Sequence, residues 1–277
     1  EQEQYKLICD RIVWARNQRE MPRDEFDGLS YESAYLLNKR AMSSYLAPKK
    51  NDDDVRINTG TTEKRIELVL NELLALNFGE EIEAFDKDDN KMVKLSEAFT
   101  DIVKRTEQIE VADEKDIWII QELLSQPSVF VEEKWVEKKV RDGKKTRTEQ
   151  YCERDMLQGV QVYLGDVNIP DHRFNDQPYL LKYARMTYDE GKTLFEDFDN
   201  WEYVKPGAYN TTYAPSTLLY RRNSLAQNEI EIWYYMSYSD DELQIIINGI
   251  PMLEVGHSYN KEYGDFGGYH ITMISLK

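Results

Sequence analysis

The sequence predicts an α+β fold in which helices come first and mostly antiparallel strands follow, with one helix inserted among the strands. Two observations predict it. Apolar residues recur at helical spacing through the first part of the chain, and near Val129 the pattern changes to β-branched and aromatic residues in rough alternation. Close to the end, IEIWYYMSYSDDELQIIINGIPMLEV, Ile230–Val255, reads as a three-stranded antiparallel meander with an Asn248-Gly249 turn between its second and third strands.

Each element has its own signal. Gln4–Arg19 and Ser30–Leu46 carry apolar residues at helical spacing: Leu7, Ile8 and Ile12 in the first, Leu36, Leu37 and Tyr45 in the second. Ser30 with Ser33 suits a helix start, and Pro48 stops the second helix. KKNDDD, Lys49–Asp54, is a polar linker and a candidate boundary. TTEKRIELVLNELLALN then forms a third helix, capped by Thr61 or Thr62, with Ile66, Val69, Leu70, Leu73 and Leu74 as its apolar stripe. Glu81–Phe85 suits a short strand. Met92–Arg105 is helical through Val93, Leu95, Phe99, Ile102 and Val103, and Asp113 caps a helix Glu114–Leu124 that Pro127 closes.

Beyond that point VFVEEKWVEKKV, Val129–Val140, reads as a strand, Asp142-Gly143 as its turn, and Gln150–Met156 as the strand that pairs back. Gly159–Leu164 and Tyr179–Tyr183 are further strands separated by a loop rich in Pro, Asp and Asn. Thr187–Phe198 returns to helix, and Asn200–Tyr220 is an aromatic loop with Pro206, Gly207 and Pro215. The expected organisation is an N-terminal helical region over 1–48, an α+β wing-like domain over 49–227 and the β-meander over 228–277. The pattern stops in mid-alternation at Lys277 and starts at Glu1, so the chain reads as part of a longer polypeptide.

Charge narrows the function classes. Asp plus Glu number 52 against 35 Lys plus Arg, a formal charge of -17, which argues against general wrapping of phosphate backbones. Cys9 and Cys152 have no CxxC spacing, so neither a disulfide framework nor a zinc knuckle is indicated and a reducing compartment is expected. No run approaches the ~20 apolar residues of a membrane span, and EQEQYKL lacks the pattern of a signal peptide, so no membrane association is expected.

Chemistry-bearing patterns are sparse. His172, His257 and His270 read as surface or loop residues, and no GxxxxGK[ST], GxGxxG, HExxH or GxSxG occurs. In DKDDNKMVKLSE, Asp86, Asp88, Asn90 and Glu97 fall at positions 1, 3, 5 and 12 of a calcium loop, but Lys91 stands where the turn around the ion needs glycine. An acidic turn before a helix is the better reading. No catalytic residue, metal or cofactor is therefore expected. An enzyme acting through Asp166, Asp171 and Asp176 would need those carboxylates to converge, and a monomeric binding module would need a groove.

Two patterns point to contacts. From Lys134 to Arg147 seven of fourteen residues are basic and two acidic, a local +5 within an acidic chain. A solvated hairpin tip accounts for this, and the sharper reading is a contact of Lys138, Lys139, Arg141, Lys144, Lys145 and Arg147 with DNA or an acidic neighbouring subunit. In the meander Ile230, Ile232, Tyr234 and Met236 share one face while Trp233 and Tyr235 emerge on the other, so both faces are covered. Core is one explanation, and a subunit interface involving Trp135, Trp201, Trp233 and Tyr235 is the other.

The order of these features resembles that of the portal, or head-tail connector, proteins of tailed bacteriophages. It comprises TEKRIELVLNELLALN, the strand ending in AFDKDD, the helix and strand of ELLSQPSVFVEEKW, MLQGVQVYLGDVNIPDHRF, ARMTYDEGKTLF, NWEYVKPG and finally EIEIWYYMSYSDDELQIIINGIPML. The resemblance covers about Asn58 to Lys277. It implies a structural role without catalysis: a homo-oligomeric ring, usually of twelve subunits, at one capsid vertex. Double-stranded DNA would pass through it. Terminase, the major capsid protein and tail adaptors would be its partners, and the virion, assembled in the host cytoplasm, its location.

Overall fold

The computed structural model describes residues 2–22, 28–42, 64, 68, 83, 89–110, 112–125, 128–142, 145–207, 228–264 and 267–275. In chain order they form α1 (Gln2–Glu20), α2 (Tyr31–Met42), α3 (Asn90–Glu110), α4 (Ala112–Ser125), β1 (Ser128–Asp142), β2 (Lys145–Leu157) and β3 (Val162–Leu164). Then follow β4 (Leu180–Thr187), α5 (Tyr188–Phe195), β5 (Glu229–Ser237), β6 (Glu242–Ile247), β7 (Ile250–Pro251), α6 (Tyr259–Tyr263) and β8 (Ile271–Ser275). The fold is α+β, as the periodicity predicts. The third helix expected from Thr61 and the strand expected at Glu81–Phe85 lie outside the described residues, apart from single positions. No helix among the described residues is long and apolar enough to cross a membrane.

The chain divides into two compact units, residues 1–38 with 157–275 and residues 39–156 with 276–277. The first is built on a five-stranded antiparallel sheet of order β3-β4-β5-β6-β7. Its centre is the meander. Asn248 and Gly249 both take positive φ, 49° and 82°, the condition for the tight turn that carries β6 into β7. β4 pairs with β5 along its whole length, from Leu180 opposite Met236 to Thr187 opposite Glu229. The expected boundary at 227/228 therefore falls inside one sheet. Both edges are blunt: β3 has three residues, and β7 has two and ends in Pro251, which cannot donate to a further strand.

Alternation along β5 sends its side chains to two cores. Trp233 and Tyr235, with Tyr163, Tyr179, Leu181, Tyr183 and Ile246, pack under Ile8, Ile12 and Ala15 of α1. Ile230 and Ile232, with Ile245, Ile247 and Met252, pack on the opposite side against Phe195 of α5, Trp201 and Val204. Leu7, expected in the buried stripe of α1, is exposed; Arg19 is buried in its place and donates to the Val162 carbonyl at 2.5 Å. Its guanidinium lies over the Tyr163 ring, 4.3 Å from the centroid, which explains how a cation ends in that core.

Local chemistry sets the helix starts. The Ser30 hydroxyl accepts from the Ser33 amide at the head of α2. Thr187 and Glu190 form a reciprocal capping box at α5: Thr187 Oγ1 accepts from the Glu190 amide, and Glu190 Oε2 accepts from the Thr187 amide. The Thr187 hydroxyl, which donates to Glu190 Oε2 at 2.8 Å, and then the Thr187 amide hold the exposed Glu190 carboxyl below its ordinary pKa. Gly159–Leu164, expected as a strand throughout, opens with a 3-10 turn over Gly159–Gln161 because the Gln161 side chain caps the Gln158 amide, leaving only Val162–Leu164 extended.

The second unit contains α3, α4 and the hairpin β1–β2. α4 packs against α3 and against β1. Ion pairs tie α4 to β2: Lys115 lies 3.6 Å from Glu153, and Arg154 lies 3.6 Å from Asp116.

Candidate functional site

A strand shows its two faces to different surroundings, and β1 shows what each is for. Val131 and Glu132 are buried, while Glu133, Trp135, Glu137 and Lys139 are exposed. Buried Glu132 is neutralised by Lys134, whose Nζ lies 2.9 Å from Glu132 Oε2 and 3.0 Å from Asp155 Oδ2. Burial works against the Lys134 ammonium, but the charge and hydrogen bonds of Glu132 and then Asp155 outweigh it, and its pKa stands above the ordinary 10.5. Lys134 is thus paired within the hairpin, although its side chain remains partly exposed. Lys139 is exposed; the side chains of Lys138, Arg141, Lys144, Lys145 and Arg147 lie outside the described ones.

Of the four aromatic residues expected at a subunit contact, Trp135 is 66% exposed, on the outward face of the hairpin. The other three are core residues of the chain itself. Trp201 stacks on Tyr188 with centroids 5.3 Å apart, and Trp233 and Tyr235 are 1% and 0% exposed beneath α1. Both faces of β5 are covered, as its composition suggests, and the cover is supplied by the chain's own helices. Other apolar residues are exposed, among them Met92, Leu95, Phe99 and Ile102, a stripe along α3, and Trp118 on α4.

Two of the carboxylates considered for catalysis are engaged within their own loop. Asp166 Oδ1 accepts from the Asn168 amide at 2.9 Å, closing a turn, and Asp176 Oδ2 accepts from Arg173 Nε at 2.5 Å. The side chain of Asp171 lies outside the described ones. Asp89, inside the calcium-like run, accepts from the Lys91 amide at 2.8 Å at the head of α3, which is the role of an acidic turn before a helix. Asp86 and Asp88 are outside the described residues. Among the described residues no group of three or more His, Cys, Asp or Glu side chains could hold a metal ion.

One of the three histidines, His270, lies in the loop just before β8 and is buried there. His270 is 5% exposed, with Nδ1 2.6 Å from the Tyr259 hydroxyl and the Tyr263 ring stacked on it at 3.8 Å. The crowding of Tyr259, Tyr263, Tyr269 and His270 within twelve residues was the available signal. Buried phenols are held in their neutral form: burial pushes Tyr179 up to about 12 despite Arg11 nearby, and pushes Tyr235 and Tyr269 higher still. They pack and hydrogen-bond: Tyr179 stacks on Tyr235, and the Tyr269 hydroxyl donates to the Gln177 carbonyl at 2.9 Å.

Open grooves lie in the first unit, and two are lined by described residues. One, of about 490 Å³, is lined by Glu3, Arg11, Asp240 and Asp241; the Asp241 carboxylate is taken up by the Asn260 amide and the Ser258 hydroxyl, which hold its pKa down. The other, of about 730 Å³, runs past Tyr5, Asn200, Leu253 and His257. His257 faces Glu262 at 3.5 Å. No protein-family model matches the chain, and no curated protein is found to be similar to it.

Proposed function

We propose that this chain is a structural subunit of a portal-type ring, a homo-oligomer through which double-stranded DNA enters and leaves a phage head. The observation that carries this reading is the order of motifs from Asn58 to Lys277, in particular a helix delivering a strand with Trp135 and a charged aromatic meander closed by Asn248-Gly249. Two features of the surface support it. The apolar stripe of α3 and the exposed Trp118 and Trp135 suit a chain that keeps faces for neighbouring copies. The charge of -17 suits a channel in which DNA slides, because repulsion keeps phosphates from being gripped. Terminase, the major capsid protein and tail adaptors are the partners this role requires, and it calls for no cofactor and no catalysis.

The test is particle mass by light scattering or sedimentation of the complete polypeptide, with a symmetry count from negative-stain images. The expected result is a closed ring of about twelve copies. A stable monomer at micromolar concentration would rule the reading out.

The basic hairpin offers a second measurement. Lys144→Glu, Lys145→Glu and Arg147→Glu together place like charge against DNA or an acidic neighbour. Surface changes of this kind alter folding by about 0.5 kcal/mol each, so the chain should still fold. Assembly or DNA passage is expected to fall roughly tenfold at low salt and to recover at high salt, since exposed charges are screened beyond ~10 Å at 0.1 M. A triple variant equal to the parent at every ionic strength would leave the hairpin as a solvated tip.

A further inference from the structure

The face of the sheet beneath α1 is built in rows set by the β4–β5 register. Leu181 stands opposite Tyr235, Tyr183 opposite Trp233, and Arg185 opposite Glu231. The first two rows are the apolar seat of Ile8, Ile12 and Ala15. The third is charged, yet Glu231 is 1% exposed and its Oε1 accepts no hydrogen bond among the described residues.

The groups facing this carboxyl are few. Arg185 comes from β4 and gives its Nη2 to Glu229 Oε2. Arg16 comes from α1, and its Nε lies 3.6 Å from Glu20. On the β6 side Asn248 is occupied with backbone: its Oδ1 accepts from the Glu231 amide and its Nδ2 donates to the Lys205 carbonyl. Both guanidiniums are thus shared with carboxylates nearer to water, and the buried one is the least compensated of the three.

We propose that the Arg16–Glu231–Arg185 row is a proton-controlled seat for α1, in which the helix docks firmly while Glu231 carries its proton and opens more readily once the carboxyl ionises. Burial raises the Glu231 pKa from 4.5 to about 7, with Arg185 and then Arg16 pulling it back only in part. A carboxyl whose pKa is higher docked than open favours the docked state most below about pH 4.5, loses that advantage as pH rises, and has lost it above about pH 7. The full difference corresponds to a change of up to about 300-fold in the docking equilibrium. The proposal is independent of the ring reading, because it concerns one subunit and is read on one subunit.

Cys9 supplies the probe, since it lies on α1 and is buried. In a Cys152→Ser background, the rate of Cys9 labelling by a thiol reagent, divided by the rate for the urea-unfolded chain at the same pH, reports opening of α1. Between about pH 5 and pH 8 the protection is expected to fall by about 70-fold, the part of the ~300-fold limit that lies within that window, and to become flat in Glu231→Gln. Protection of the parent chain that does not change with pH overturns the proposal whether or not the variant folds. So does an equal slope in Glu231→Gln. Amide exchange along β5 that follows the same pH slope also overturns it, because the effect would then belong to the whole unit and not to the helix.

Discussion

Replacing Trp233 by alanine is expected to lower the stability of the sheet-bearing unit by about 3–5 kcal/mol, the range for removing a large aromatic side chain from a packed core. Its ring lies 5.2 Å from that of Tyr163 and 4.9 Å from that of Tyr183, so truncation removes two tilted aromatic contacts as well as apolar area. The site is closed above by α1 and below by the sheet, which limits how far neighbours can collapse into the space. One feature separates this from a generic core truncation. The Trp233 indole N–H has no hydrogen-bond partner among the described residues. Trp233→Phe removes that buried unsatisfied donor, whose burial alone costs about 1–3 kcal/mol, while keeping a ring. It is therefore expected to lose much less than alanine, about 1 kcal/mol. Urea melts followed by far-UV circular dichroism check both, and a loss under ~1 kcal/mol for alanine would mean that the site collapses freely.

The sequence made the meander legible because its signals are local. Alternation from Ile230 to Met236 fixes which residues share a face, and Asn248-Gly249 fixes where the chain turns. It did not say what covers each face. The cover for Trp233 and Tyr235 is α1, more than two hundred positions earlier, and no local pattern carries a contact of that separation. Trp233 and Tyr235 accordingly suited an interface as well as a core. Glu231 was within reach of the same counting: it sits two positions before Trp233, on the face that alternation marks as buried. Arg19 was not, since its burial depends on a carbonyl of β3 and two tyrosine rings that fold back onto α1.

Of the candidate site, the hairpin's two strands were legible from β-propensity and Asp142-Gly143, although the strands extend further than the alternation suggested, to Ser128–Asp142 and Lys145–Leu157. Lys134 was read as one charge among seven. Only geometry shows that Glu132 and Asp155 claim it. Asp166 and Asp176 were grouped as carboxylates near one another in sequence, whereas each is spent on its own loop. Proximity in a loop says little about convergence, because short polar side chains are taken up first by neighbours in sequence, Asp166 by the Asn168 amide and Asp176 by the Arg173 guanidinium.

Gly165→Ala is the second large effect expected, and here the neighbour decides its size. A Cβ at this position would stand 2.6 Å from the Tyr179 carbonyl oxygen and 3.0 Å from both Pro178 Cγ and the Tyr179 amide nitrogen. The first contact is with backbone that already accepts from the Gly165 amide at 3.0 Å, so no rotamer change relieves it. The strands β3 and β4 would have to part at the mouth of their loop. That loop is closed just beyond by the Gln177 side chain, which accepts from the Asp166 amide at 2.9 Å and donates to the Asp166 carbonyl at 2.8 Å. Moving Tyr179 would also disturb its stacking on Tyr235, at 5.5 Å between centroids. Overpacking of this kind costs about 1–3 kcal/mol, and losing the amide bond adds about 1 kcal/mol. The reduced entropy of the unfolded chain returns about 0.4–1 kcal/mol, leaving a net loss of about 1–3.5 kcal/mol. Gly191→Ala provides the contrast: there the new methyl meets Ile230 Cδ1, the end of a side chain, and Ile230→Val removes that atom. The pair Gly191→Ala with Ile230→Val is expected to recover part of the single-variant loss in urea melts. Gly165→Ala has no such side-chain remedy, and a melt within ~0.5 kcal/mol of the parent would show that β3 and β4 meet less closely than 2.6 Å implies.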